Sequence, residues 1–324
     1  MKRALLTFAV LCCTILPVAA SAPAHANELA LLGGVSDSAE AEKSSYSWQI
    51  DYRHRLLKSL SLGMSYLNEG HLSGHHRDGY APQAWAHLPL LADRLELSAG
   101  VGPYLYFDTI TAEGSPTGYR NDHGFKALTS LSAAWYSERN WFVQLQGNYL
   151  ALGGSIDTIT ALAGVGYRFP SDGRERESSG APLEIPDNEI TVMLGQTIVN
   201  SLDSQNSVAA EVELRHRFVP HLEGSISFLF EGDSRLVRRD GLITQLWATD
   251  DLFDNRFGIG VGAGAYFDIE SYRDLNAERI AGIVTLSGTY RFSCRIDARL
   301  SWNRIVTNYD RDSDVIVAGV GYLF

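Results

Sequence analysis

The chain has 324 residues, 45% hydrophobic and 20% charged, and 38 Asp and Glu against 27 Lys and Arg leave a formal net charge of −11. That acidic balance argues against a nucleic-acid partner and suits solvated surface loops. Cys12 and Cys13 fall in the leading apolar segment, so Cys294 alone lies beyond it and no internal disulfide can form.

Lys2 and Arg3 precede an apolar run from Ala4 to about Ala20, followed by Ala24-His25-Ala26. A charged start, an apolar stretch and an Ala-x-Ala site predict a signal peptide over 1–26, cleaved after Ala26. Beyond it no stretch approaches the roughly 18–20 apolar residues of a membrane helix. An exported chain of this kind is either soluble in the periplasm or crosses the outer membrane as a closed β-barrel.

Apolar residues then recur at every second position, the period of strands with two different faces. The pattern predicts strands near 28–36, 44–56, 60–69, 79–88, 94–107, 124–136, 141–150 and 157–169. Short connections such as Leu57-Lys58-Ser59 and Ser137-Glu138-Arg139 alternate with longer polar ones near 37–43, 70–78, 108–123 and 151–156. Short turns on one side and long loops on the other is the outer-membrane barrel pattern. Pro170 to Asp187, rich in Gly, Ser, Pro and charge, reads as a linker. After it the pattern returns near 189–198, 207–218, 222–231, 241–249, 256–267, 280–291, 296–306 and 314–324.

The second series is a copy of the first. Arg53-His54-Arg55, Glu69-Gly70, Arg77-Asp78-Gly79, Gln83 and Trp85 recur 162 residues later as Arg215-His216-Arg217, Glu231-Gly232, Arg239-Asp240-Gly241, Gln245 and Trp247. After a loop seven residues shorter in the second copy, Asn148, Tyr167 and Phe169 recur as Asn303, Tyr322 and Phe324. Each copy ends in an alternating strand with a final aromatic, which resembles the closing strand of bacterial outer-membrane β-barrels. The fold expected is therefore all-β: a transmembrane antiparallel β-barrel architecture with two homologous eight-stranded units in tandem, 27–169 and 188–324. One sixteen-stranded barrel is the alternative. Eight strands leave room for side chains only, whereas about sixteen leave a water channel.

Within each strand the faces separate. Trp48, Ile50, Tyr52 and Leu56 alternate with Gln49, Asp51, Arg53 and Arg55, and Ala298, Leu300 and Trp302 with Asp297, Arg299, Ser301 and Asn303. The apolar set is expected to face lipid, where a charge at mid-depth costs about 2–4 kcal/mol. The polar set then points inward, giving an interior network of Asp51, Arg53, Arg55 and Glu69 in one copy and Glu211, Arg215, Glu231 and Arg299 in the other. Tyr167, Phe169, Tyr322 and Phe324 are the barrel-closing aromatics. Trp85 and Trp247 plug the interior, and Arg77-Asp78-Gly79 and its repeat read as a turn entering the fourth strand.

The strand spacing, the Glu-Gly after the third strand and the Gly-rich fifth strand make each copy resemble small eight-stranded outer-membrane barrels, including the lipid A deacylase family. That family carries His-x-Ser-Asn on its seventh strand. The corresponding segments here are Asn148-Tyr149-Leu150-Ala151 and Asn303-Arg304-Ile305-Val306, without His or Ser. The resemblance implies the fold and not the activity, so no catalytic residue is assigned and no cofactor motif is present. His71, His75 and His76 lie close enough in sequence to ligate a divalent metal, but the second copy lacks them and the simpler reading is a solvated loop. Arg235, Arg238 and Arg239 are candidates for lipopolysaccharide phosphates, whose geometry guanidinium groups match. His54 and His216 are read as interfacial. The expected function is a non-enzymatic outer-membrane protein whose loops contact lipopolysaccharide or a surface partner, inserted by the barrel assembly machinery. A sixteen-stranded porin is the alternative, and a lipid-modifying enzyme ranks behind both.

Overall fold

The computed structural model describes residues 27–38, 43–115, 118–151, 155–169, 183–201, 205–234, 236–269 and 279–324. The expected signal peptide, and the expected linker up to residue 182, lie outside them. Sixteen strands follow in order: β1 (Glu28–Ser38), β2 (Lys43–Leu57), β3 (Leu60–Leu72), β4 (His75–Leu90), β5 (Leu95–Thr111), β6 (Tyr119–Tyr136), β7 (Trp141–Ala151), β8 (Thr158–Arg168), β9 (Asn188–Val199), β10 (Asn206–Val219), β11 (Leu222–Asp233), β12 (Arg238–Leu252), β13 (Phe257–Asp268), β14 (Ile280–Arg291), β15 (Ile296–Val306) and β16 (Ser313–Leu323). Within β1–β8 and within β9–β16, strands adjacent in sequence pair antiparallel.

Two pairings decide the architecture. β1 closes on β8, with Leu31 opposite Val165, and β9 closes on β16, with Leu194 opposite Ala318. The chain therefore forms two eight-stranded barrels, and the sixteen-stranded alternative is excluded. An even strand number brings both ends of each barrel to one side, here the terminal end; the opposite side is the loop end.

At the loop end the β3–β4 connection differs from the expected pattern. Residues 70–78 are not a long loop: β3 and β4 continue to Leu72 and His75, joined by a tight turn whose Gly74 has φ +72°. Arg77-Asp78-Gly79 is consequently strand, not turn. The repeated Glu-Gly marks a register shift instead, between Asn68 and His71 and again between Phe230 and Asp233. Gly70 and Gly232 sit there at φ +69° and +80°, the left-handed region that favours glycine.

Candidate functional sites: sealed interiors and the seam between the barrels

The inward polar residues form the same network twice. Gln83 donates to Ser130 (3.0 Å), Ser130 to Asn148 (2.7 Å) and Asn148 to Gln49 (2.9 Å). In the second barrel Gln245, Thr285, Asn303 and Glu211 repeat that chain at 2.8, 2.6 and 3.2 Å. Asn148 and Asn303 stand at the start of the segments compared with the deacylase motif, so that position holds interior amides in both copies. Arg53 lies 3.6 Å above the Trp85 ring and pairs with Asp51; Arg215 lies 3.7 Å above Trp247 and pairs with Glu213. Each tryptophan covers a glycine: a Cβ on Gly100 or Gly262 would come within 2.6 or 2.7 Å of the indole ring.

Glu69 and Glu231 are each one half of a buried ion pair, but their partners escaped the sequence reading. Arg77 holds Glu69 through two nitrogens and also donates to Thr158 (2.7 Å). Arg239 holds Glu231 at 2.8 and 2.9 Å and donates to Ser313 (2.9 Å). The signal was available: Glu and Arg recur eight residues apart, on inward parity across a hairpin, in both copies. Below these pairs, apolar layers fill the barrels, with Leu67, Leu128 and Leu150 in one and Leu229, Ile283 and Ile305 in the other, all nearly or fully inaccessible. At the terminal end of the second barrel a void lined by Arg215, Arg299 and Glu223 measures about 20 Å³, room for roughly one water. Leu67, Leu128 and Leu150 belong to one contiguous buried cluster, and Leu229, Ile283 and Ile305 to its counterpart in the second barrel.

Arg238 and Arg239 stand on opposite faces of β12. Arg239 points inward and is fully engaged by Glu231 and Ser313, because the hairpin places it on the buried parity of β12. Arg238, on the opposite parity, is exposed across from Asp233, and Arg235 lies outside the described residues. The three histidines also separate. His71 stacks on His76 with ring centroids 4.1 Å apart, while His75 turns inward to Asp108 (2.7 Å). No three metal-ligating groups converge among the described residues. In the loop before β16, burial raises the Asp312 carboxyl above its ordinary range, although Thr307 donates to it from its backbone N (2.7 Å) and Oγ1 (3.0 Å).

The outward faces hold the larger surprise. Leu131, Leu145, Leu194 and Val208 are 65–70% exposed, as an apolar outer band requires. Trp48, Tyr66, Tyr80 and Phe107 share that outward parity, yet they are half-buried or buried against Val284, Leu286, Trp302 and Val306 of the second barrel. Trp302 packs 4.6 Å from Tyr66 and 6.4 Å from Trp48, centroid to centroid. The two barrels thus share a seam, and the expectation that Trp48, Tyr52 and Trp302 face lipid is corrected. At the loop end of this seam Arg304 meets Asp78 (2.6 Å) and Asp314 (2.7 Å), and Tyr66 donates to Asp78 (2.7 Å). Closer to the terminal end, Tyr52 and Asn27 donate to Asp250 of the second barrel. Phe169 packs there against Phe253, centroids 5.3 Å apart. Phe324, its counterpart, is exposed and closes its own barrel by exchanging backbone hydrogen bonds with Asn188.

No family model matches the chain, and no curated protein matches it in sequence. Among solved structures, the N-terminal β-barrel domain of Pseudomonas aeruginosa OprF is 16% identical, spanning 45% of this chain and 98% of its own, with a TM-score of 0.36. Neisserial surface protein A is 14% identical over 44% of this chain and 97% of its own, with a TM-score of 0.36. The NanC porin is 9% identical over 91% and 98%, with a TM-score of 0.23. The two-barrel architecture rests on the strand pairing of this chain itself.

Proposed function

We propose that this chain is an integral outer-membrane protein in which two plugged barrels, joined along their seam, form one rigid platform for external loops that contact lipopolysaccharide or another surface partner. The observation that carries it is the inversion of polarity: ion pairs and amides fill the interior while Leu131, Leu145, Leu194 and Val208 face outward. Water would not tolerate such a continuous apolar surface, whereas a bilayer requires it. The terminal end then faces the periplasm and the loop end the exterior. Sealed lumens speak against a porin, so the external surface is where this reading places function. Arg238 and Arg235 remain its candidates for lipid phosphate, while Arg239 belongs to the interior.

The test is binding of purified lipopolysaccharide to the detergent-folded protein. Replacing Arg235 and Arg238 by Ala is expected to weaken binding several-fold and to reduce its salt dependence. Unchanged affinity would remove the lipopolysaccharide reading and leave a protein partner for the loops.

A further inference from the structure

One constellation belongs to the first barrel alone. Near its terminal end, three inward side chains from successive strands line up: Ser61 on β3, His87 on β4 and Glu96 on β5. The Ser61 Oγ lies 2.6 Å from His87 Nε2, and His87 Nδ1 lies 2.9 Å from Glu96 Oε1. Ser98 Oγ is also 2.9 Å from Nδ1. Arg55 grips both oxygens of Glu96 at 2.9 Å, which fixes the carboxylate beneath the imidazole. This is the order of a nucleophile, a base and an orienting carboxylate, a pattern recognised by geometry rather than by sequence position.

The repeat design does not require it. The equivalent positions of the second barrel, 162 residues on, are Glu223, Thr249 and Gly258. A second difference lies next to the serine. Gly63 is the next inward residue after Ser61, and its counterpart Ser225 accepts a 2.9 Å hydrogen bond from Trp247 Nε1. In the first barrel the glycine leaves Trp85 Nε1 buried without a partner, while a Cβ on Gly63 would sit 3.0 Å from that nitrogen. The Trp85 N–H, beside Gly63 and so one inward position along β3 from Ser61, is thus an unused donor of the kind that the oxyanion of an acyl-transfer intermediate needs.

We infer that the periplasmic mouth of the first barrel holds a serine acyl-transfer site, with Ser61 as nucleophile, His87 as base and Glu96 as positioning residue, taking small acyl esters. Ser61 Oγ attacks the ester carbonyl carbon as His87 Nε2 accepts the hydroxyl proton. The carbonyl–oxygen bond of the ester breaks, the leaving alkoxide takes the proton from His87, and the acyl group stays on Ser61. Water then attacks the acyl-serine, its proton passing through His87 to Ser61 Oγ, which releases a carboxylic acid. Ser61 is buried, and Arg55, ion-paired with Glu96 and Glu28, stands directly opposite it on β2, so entry of an ester through the mouth requires the Arg55 side chain to move.

The experiment treats the full, detergent-folded protein with an alkyl fluorophosphonate and locates the adduct by peptide mass spectrometry. One adduct per chain on Ser61 is expected, absent from protein unfolded in urea. His87→Gln is expected to slow labelling about a hundredfold, in keeping with general-base catalysis, and Glu96→Gln to slow it and move its pH profile. Variant folding is checked by heat-modifiable gel mobility, and mapping on the wild-type chain needs no variant at all. No adduct on Ser61 of folded protein, or labelling indifferent to His87→Gln, would overturn the proposal and leave an interior hydrogen-bond chain.

Discussion

Arg304 of the second barrel and Asp78 of the first meet 2.6 Å apart on outward-facing strand positions, both almost inaccessible. The first copy has Tyr149 where the second has Arg304, and Ile159 where the second has Asp314. Tyr149 and Ile159 are exposed, at 49% and 60%. Asp78 itself recurs as Asp240, but the second barrel differs from the first at Arg304, which meets it, and at Asp314, which pairs with Arg304. The substituted charges are hidden in the seam rather than offered to lipid.

Removing one member of this cluster should be costly. Asp78→Ala leaves Arg304 with Asp314 alone, and breaking a buried pair costs about 3–5 kcal/mol. Urea unfolding of the variant is expected to show a lower midpoint, and spin labels on the two barrels a broadened inter-barrel distance. An unchanged distance distribution would mean that the aromatic contacts hold the seam without the charges.

Restoring the first copy's residues gives a sharper contrast. Arg304→Tyr with Asp314→Ile removes both charges of the second barrel and makes that surface resemble the exposed outer face. Both barrels should still fold, each migrating as a heat-modifiable unit after protease cleavage between them, yet they should separate in detergent. Co-purification of the cleaved halves would contradict this.

The sealed interiors predict electrical silence. Inserted protein in a planar bilayer should show no stable nanosiemens step, since an eight-stranded lumen filled by side chains offers no water path. Truncating the apolar layer with Leu67→Ala and Leu128→Ala is expected to cost about 2–5 kcal/mol per site before it opens any conductance.

The glycines under the tryptophans should tolerate nothing larger. Gly100→Val places methyl groups where the Trp85 ring lies, so a destabilisation of at least about 1–3 kcal/mol is expected from overpacking. The same change at Gly262 should affect the second barrel alike, because a Cβ there meets Trp247 at 2.7 Å. Differential scanning calorimetry of the two variants reads the effect directly.

Residue by residue, the sequence determined the strands, their two faces and the duplication. Period-two alternation is a local property, and a register slip of one residue would turn every charge outward. It also placed Asp51, Arg53, Glu69 and Glu231 inside, since parity alone decides that. What it left open was pairing in space. Whether β8 returns to β1 or continues to β9 depends on closure of the whole sheet, and the partners of Glu69 and Glu231 depend on a hairpin tighter than the polar stretch 70–78 suggested. The seam lay furthest from view. Arg304, Asp78 and Asp314 stand on the parity that should be apolar; Arg304 and Asp314 pair within the second barrel, and only packing of the two barrels brings Asp78 to Arg304. Likewise Ser61, His87 and Glu96 come from three strands, and nothing along the chain announces that the barrel's curvature brings them within hydrogen-bonding distance.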